Sequence, residues 1–162
     1  LGVLPQRELF VATANALLKT GDKERALKVL DKCQESMPDH VWPLESIPLG
    51  FYTNDYMVVN MVSDYFAAGA PDKAADLGAR LGKELLTTAN FYMQFYEYAA
   101  DDFERACQFL YYLIDELEKG GEKTVSHDLK LSLVAMMRSS IPDEEVAGYA
   151  PADSSENTEI QK

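Results

Sequence analysis

The sequence predicts an all-α protein. Apolar residues recur at spacings of three and four along most of the 162 residues, which is the period of an α-helix. Strand signals are scarce, because no Asn-Gly or Asp-Gly pair marks a hairpin and no stretch keeps alternating apolar with polar residues. Apolar residues make up 47% of the chain, so we expect a globular domain that needs neither disulfides nor a metal to bury its core.

Glycine, proline and capping residues divide the helical pattern into elements. Gly21 ends the first helix, Asp22 caps the second, and Pro38 stops it. Gly78 and Gly82, four residues apart in the fourth helix, would let another helix approach closely. The fifth helix is either separate from the fourth or continuous with it. The seven predicted helices cover about 6–20, 23–36, 55–68, 71–87, 89–99, 102–119 and 124–138.

Two segments have a different composition. Residues 38–53 contain three prolines together with Trp42 and other apolar residues, which is typical of a compact, packed loop. Residues 139–162 carry six acids and one lysine and form an acidic C-terminal tail. We expect the tail to dock through Ile141, Val146 and Tyr149, on the end of the last helix or on a neighbouring molecule.

The net charge of −12 excludes some classes of partner. Such a surface repels phosphate backbones and anionic lipids, so we expect neither nucleic-acid nor membrane-surface binding. No apolar run reaches the roughly 18 residues that a membrane helix requires. The chain begins at Leu1 without a signal-peptide pattern, and we interpret it as a piece of a longer or processed protein.

The sequence offers little for catalysis. His40, His127, Cys33 and Cys107 show no metal-ligand spacing, and no nucleophile elbow, phosphate loop or dinucleotide motif occurs. We therefore expect no enzyme activity, no cofactor and no metal. Both cysteines occupy apolar helix positions and should be buried and reduced, although the sequence leaves a disulfide between them open.

A unit of helix, tight turn and helix recurs along the chain. The turn segments are Gly21–Ala26, Gly69–Ala74 and Asp101–Ala106, the last with a shorter turn and no glycine. With the flanking apolar residues, this pattern resembles the tetratricopeptide repeat family. The resemblance implies stacked antiparallel helix pairs in a right-handed superhelix. The implied organisation is repeats at 6–38, 55–87 and 89–119 and a capping helix at 124–138, forming a domain of residues 1–138, then the tail at 139–162.

A narrower resemblance covers most of residues 6–137. The runs 8–18, 26–33, 55–57 and 64–69 are similar to the soluble C-terminal region of large bacterial multi-span membrane proteins. The membrane-embedded half of those proteins is itself glycosyltransferase-like. The resemblance implies a soluble domain tethered to a bacterial membrane, with the extracytoplasmic side favoured and the cytoplasmic side left open.

The tetratricopeptide resemblance also implies a binding groove on the exposed side of each first helix. The matching positions are Glu8, Val11, Asn15, Leu18, Lys19, Tyr56, Val59, Ser63, Phe66, Tyr92 and Tyr96. Separately, nine of the chain's seventeen aromatic residues fall within residues 91–112. They indicate either aromatic packing of a helix pair or a ligand-binding face.

These observations predict a non-catalytic scaffold that binds a protein or peptide. Two alternatives stay open at this point. The tyrosine- and phenylalanine-rich helices could bind a glycan, or the domain could serve a structural role and form a homodimer.

Overall fold

The computed structural model describes residues 3–45 and 54–139, and within these ranges the secondary structure is entirely α-helical, as the sequence predicts. The helices are α1 (Val3–Lys19), α2 (Lys23–Ser36), α3 (Asn54–Ala68), α4 (Pro71–Met93), α5 (Tyr96–Lys119) and α6 (Lys123–Ser139). The predicted seven helices are therefore six in the described part of the chain.

Short glycine turns join α1 to α2, α3 to α4 and α5 to α6, and we call these three units pairs. A further short turn joins α4 to α5, and these two helices pack against each other more extensively than the helices within any pair. The first helices of successive pairs pack against one another, α1 on α3 and α3 on α5. Between pairs, α2 packs on α3, while α4 packs on both α5 and α6. Each pair thus buries its apolar side against the next one along the chain.

The three turns share one backbone conformation. Gly21, Gly69 and Gly121 all have a positive φ, between 81° and 87°, which favours glycine because it has no Cβ. In each turn the residue after the glycine donates its N–H to the carbonyl four residues before the glycine, over 2.8–2.9 Å. This arrangement is the Schellman motif that ends helices. The glycines therefore give a common register in which positions of the three pairs correspond.

That register corrects the predicted third repeat. No turn lies at Asp101–Asp102, because both residues are inside α5. The turn of the third pair is at Gly121, and the small residue five positions later is the buried Ser126 rather than an alanine. The helix predicted to cap the domain is α6, which is the second helix of this pair. The repeat predicted at 89–119 therefore does not coincide with a pair of helices.

The predicted fifth helix is not a separate element. Its first half extends α4 to Met93, beyond the predicted end at Thr87, because Leu85 and Ala89 continue the buried stripe. Its second half forms the first turn of α5, before a kink at Ala99, where φ is −135° and ψ is 31°.

Gly78 and Gly82 permit close helix packing, as predicted. A Cβ added at Gly78 would lie 2.8 Å from Cδ2 of Leu117 on α5. At Gly82 it would lie 2.5 Å from Cδ2 of Leu129 on α6. The two glycines therefore bring α4 against both helices of the third pair.

Part of the sequence prediction lies outside the described residues. This applies to residues 46–53 of the proline-rich stretch and to the tail anchors Ile141, Val146 and Tyr149. Within the described ranges, none of the helices combines the length and the hydropathy needed to cross a membrane. The right-handed superhelix stays a prediction.

Candidate functional site

Residues 37–45, the segment that follows α2, are fixed against α4 by polar contacts. The Glu84 carboxylate accepts hydrogen bonds from the backbone N–H groups of Leu44 and Glu45, both over 2.9 Å. On the same helix, Nη1 of Arg80 lies 2.6 Å from Oδ2 of Asp39. Hydrogen bonds to an ionised group are stronger than neutral ones, so these contacts hold the segment in place.

The buried side chain of Arg7 approaches the same segment from α1. Its guanidinium faces the carbonyl oxygens of Trp42 and Pro43, at 3.5 and 3.4 Å. Burial lowers the pKa of Arg7 from its ordinary value, although a guanidinium remains charged at neutral pH. The segment is therefore held between α1 and α4.

A cleft of about 590 Å³ opens between this segment and α4. Its volume suits a small ligand or a few side chains of a partner. The residues that line it are Asp39, Pro43, Glu45, Arg80, Lys83, Glu84, Thr87, Thr88 and Tyr92.

Glu45 is the most perturbed titratable group of the cleft. Burial raises its pKa to about 7; the hydrogen bond donated by the Thr88 hydroxyl to Oε2 opposes that rise. The charges of Asp55 and Glu84 raise the pKa further, and that of Arg105 lowers it. Glu45 therefore gains and loses a proton near neutral pH, and a group with this property could take part in acid–base chemistry or sense pH.

An exposed aromatic surface adjoins the cleft. It consists of Phe91 in the last turn of α4, Phe95 directly before α5, and Tyr96 and Tyr98 in the first turn of α5, and we call it the aromatic corner. The rings of Phe91 and Phe95 lie 5.3 Å apart between centroids. The Phe91 ring also meets that of Tyr92, which lines the cleft, at 5.5 Å. Cleft and corner thus form a continuous surface.

The aromatic corner is unusual in its exposure. Tyr98 is 89% exposed, and about half of the surface of each of the other three side chains is accessible. The sequence left open whether the aromatic residues pack inside the protein or form a binding face. Phe103 packs inside, because it is buried against Tyr96. The four corner residues instead present large apolar surface to solvent, which in soluble proteins often marks a binding site.

The predicted groove residues do not all line one open surface. Glu8, Lys19, Tyr56 and Tyr96 are exposed; Asn15, Leu18, Ser63, Phe66 and Tyr92 are partly buried; Val11 and Val59 are buried in the core. The last two cannot line an exposed groove in this structure.

Contacts between successive first helices explain this burial. Nδ2 of Asn15 on α1 donates a hydrogen bond to Oδ2 of Asp64 on α3, over 2.8 Å. The Phe66 ring, further along α3, lies against Gly120 at the end of α5. The predicted groove face therefore serves largely to join one helix pair to the next.

The cysteines behave as the sequence predicts. Cys33 and Cys107 are free thiols and both are buried. Burial raises the pKa of Cys33 to about 11 and also raises that of Cys107. Thiols with raised pKa values form little thiolate and react slowly. Over the described residues, no group of three or more histidine, cysteine or acidic side chains could hold a metal ion.

The sequence did not single out Glu45 or Glu84, although Tyr92 was among the predicted residues. The contact between these glutamates spans 39 positions, so no local pattern could reveal it. The one available signal was an acidic residue, Glu45, placed among prolines and aromatic residues in a stretch that the composition predicts to be packed.

Comparison with known proteins adds no relative. No family model, curated protein or solved structure matches this chain. The class that the fold defines is an all-α protein of paired helices, and its function is argued from its own residues.

Proposed function

We propose that this chain is a non-catalytic helical scaffold that binds a segment of another protein through the aromatic corner. The observation that carries the proposal is the clustering of four exposed aromatic side chains within residues 91–98. Aromatic residues are enriched at protein interfaces because each contributes a large contact area at a small entropic cost. The cleft beside the corner offers space for a side chain of the bound segment.

The charge of the surface indicates which residues a bound segment should contain. Residues 96–104 at the start of α5 contain four acids and no lysine or arginine. Together with the net charge of −12, these acids favour a segment that combines aromatic or aliphatic anchors with lysine or arginine. The partner we propose is therefore a basic, apolar peptide or an exposed segment of that composition.

The tetratricopeptide-like arrangement is part of this proposal. It is supported by the three equivalent glycine turns and by the packing of α1 on α3 and of α3 on α5. Tyr96 belongs both to the groove that the resemblance implies and to the aromatic corner. The exposed groove positions Glu8, Lys19 and Tyr56 remain candidates for additional contacts.

The proposal is tested by selecting displayed random peptides on the immobilised protein. We expect the enriched peptides to share aromatic or aliphatic anchors next to basic residues. Their binding should weaken at least about tenfold for the double variant Phe95→Ala and Tyr98→Ala, a loss of about 1.4 kcal/mol or more that is common for interface anchors.

Leu9→Ala is the matched control, because Leu9 is an exposed apolar residue of α1, and in the described part of the chain α1 packs on neither α4 nor α5. Binding to this variant should equal binding to the parent. If no peptide is enriched, or if the enriched peptides bind the double variant as tightly as the parent, the corner is not a protein-binding surface.

A glycan is the second candidate ligand. It is favoured by Tyr98, whose exposed ring can stack on a sugar while its hydroxyl forms a hydrogen bond. Glu97, the preceding residue, is also exposed and offers a carboxylate that can accept hydrogen bonds from sugar hydroxyls. A glycan array read with the same two variants separates the candidates. Glycan binding that is lost in the double variant, without any peptide selection, would favour this second candidate.

The tether to a bacterial membrane protein stays a prediction from resemblance. Fractionating cells that produce the native gene product would test it. Recovery in the membrane fraction, with release only by detergent, is expected. Recovery in the soluble fraction would argue against the membrane parent without affecting the corner.

A further inference from the structure

The third helix pair exposes positions that the first two pairs bury. Ten residues before the turn glycine, Val11 and Val59 are at most 7% exposed, whereas Tyr111 is 53% exposed. The three residues occupy the same register on α1, α3 and α5. Val11 and Val59 belong to the core that joins the pairs, and no fourth pair follows α5–α6 among the described residues.

The second helices show the same difference. Sixteen residues after the turn glycine, Met37 and Leu85 are at most 3% exposed, whereas Met137 is 39% exposed. On α6, Leu131 and Val134 precede Met137 at helical spacing and are also exposed. We call these three residues of α6, together with Tyr111 of α5, the end face.

Contacts in the first two pairs show that the positions ten and thirteen residues after the turn glycine face the next pair. Asp31, ten residues after Gly21, accepts hydrogen bonds from Tyr65 of α3 and Lys73 of α4. Gly82, thirteen residues after Gly69, lies against Leu129 of α6. Leu131 and Val134 occupy these two positions in the third pair, so the end face is a stacking surface without a partner in the described part of the chain.

We propose that the acidic C-terminal segment, residues 140–162, docks on this end face and covers it. The segment starts directly at the end of α6, and Pro142 does not allow the helix to continue far. The 17 residues of α6 span about 25 Å, which about eight extended residues can cover. The 23-residue segment is therefore long enough to return along the whole helix.

Charge complementarity supports this occupant. The segment has six acids and one lysine, a net charge of −5. The α6 helix has three basic residues, Lys123, Lys130 and Arg138, and one acid, Asp128. Lys130 already pairs with Glu118 of α5 over 2.5 Å, so Lys123 and Arg138 are the basic residues that the acids of the segment would meet. Ile141, Val146 and Tyr149 supply apolar side chains for the exposed leucine, valine and methionine of α6.

A second copy of the chain is the less favoured occupant. Each copy carries a net charge of −12, so two copies of the chain repel each other. The tethered segment avoids the entropic cost of bimolecular association, since its effective concentration at the face is high.

The test uses the full chain labelled with ¹⁵N. Backbone order parameters at Val146 and Tyr149 should lie above about 0.6, the range of ordered backbone, whereas those of the free synthetic peptide 140–162 should lie below it. In the double variant Leu131→Glu and Val134→Glu, the two order parameters should fall to the peptide values. Leu9→Glu, which places the same charge on an exposed leucine of α1, should leave them unchanged.

Each other outcome overturns the proposal. Tail amides that are as mobile as the free peptide in the parent chain would show that the segment does not dock. Order that persists in the Leu131→Glu and Val134→Glu variant would place the docking site elsewhere. A doubled mass in light scattering together with a mobile tail would show that a second copy covers the end face.

Discussion

Asn15 and Asp64 join the first helices of two successive pairs through a 2.8 Å hydrogen bond between Nδ2 and Oδ2. The side chain of Asp64 is buried, and burial raises its pKa from 3.8 to about 6. The folded chain therefore holds this proton more tightly than the unfolded chain does. The stability that the protonated group contributes is complete below about pH 4 and is lost as the pH rises through about 6.

Asp64→Asn should therefore stabilise the protein at pH 7.5 but not at pH 4. The amide oxygen can still accept the hydrogen bond from Asn15, and no buried charge remains. We expect a gain of about 1–3 kcal/mol in the free energy of unfolding at pH 7.5, measured by urea titration. Asp72→Asn, which removes a carboxylate from an exposed position of α4, is the control and should not raise the free energy of unfolding at pH 7.5. A loss of stability at pH 7.5 would show that the charged form of Asp64 is needed.

Glu84 should stabilise the folded protein, because one of its carboxylate oxygens accepts hydrogen bonds from two backbone N–H groups. Glu84→Ala leaves the N–H groups of Leu44 and Glu45 without this acceptor and should cost about 1–3 kcal/mol in thermal or urea unfolding. Glu84→Gln keeps an oxygen at the same reach and should cost less. Equal losses in the two variants would mean that the negative charge, rather than the acceptor geometry, fixes the segment.

The turn at Gly121 can be tested through its backbone conformation alone. No atom lies within 4 Å of a Cβ added there, and its φ is +87°. Gly121→Ala should therefore cost about 1–2 kcal/mol from the left-handed conformation, with a smaller loss for Gly121→Asn. Similar losses are expected at Gly21 and Gly69, which share the conformation. A Gly121→Ala variant as stable as the parent would remove the evidence for a third equivalent turn.

The sequence predicted the first two turns well because their chemistry is local. A helix-ending glycine followed by a capping aspartate or a first-turn proline marks the boundary regardless of tertiary contacts, as at Gly21 and Gly69. The prediction misplaced the third turn because it relied on an alanine five residues after each turn. Ser126 fills that buried position, while Ala106 lies inside α5.

Features that depend on packing between distant residues could not be predicted from local sequence patterns. The end of α4 is decided by the burial of Ala89, since packing outweighs the weak helix propensity of Thr87 and Thr88. The role of the groove positions was likewise decided by packing between helix pairs. The exposure of the aromatic corner depends on the break between α4 and α5, so only the abundance of aromatic residues there was evident from the sequence.

Ala26 offers a test of the packing within the first pair. It is completely buried, so Ala26→Leu should overpack the contact and cost about 1–3 kcal/mol in thermal unfolding. Ala16→Leu adds the same atoms at an exposed position of α1 and is expected to be close to neutral. A melting temperature for Ala26→Leu equal to that of the parent would contradict the close helix approach assigned to this alanine.

Chemical-shift mapping can show directly whether partners bind at the aromatic corner. A selected basic, aromatic peptide is titrated into the ¹⁵N-labelled full chain, and the amide shifts are followed residue by residue. We expect the largest changes on residues 91–98 and on Glu45 and Thr88 of the adjoining cleft. Largest changes on α1 or α6, with residues 91–98 unaffected, would contradict it.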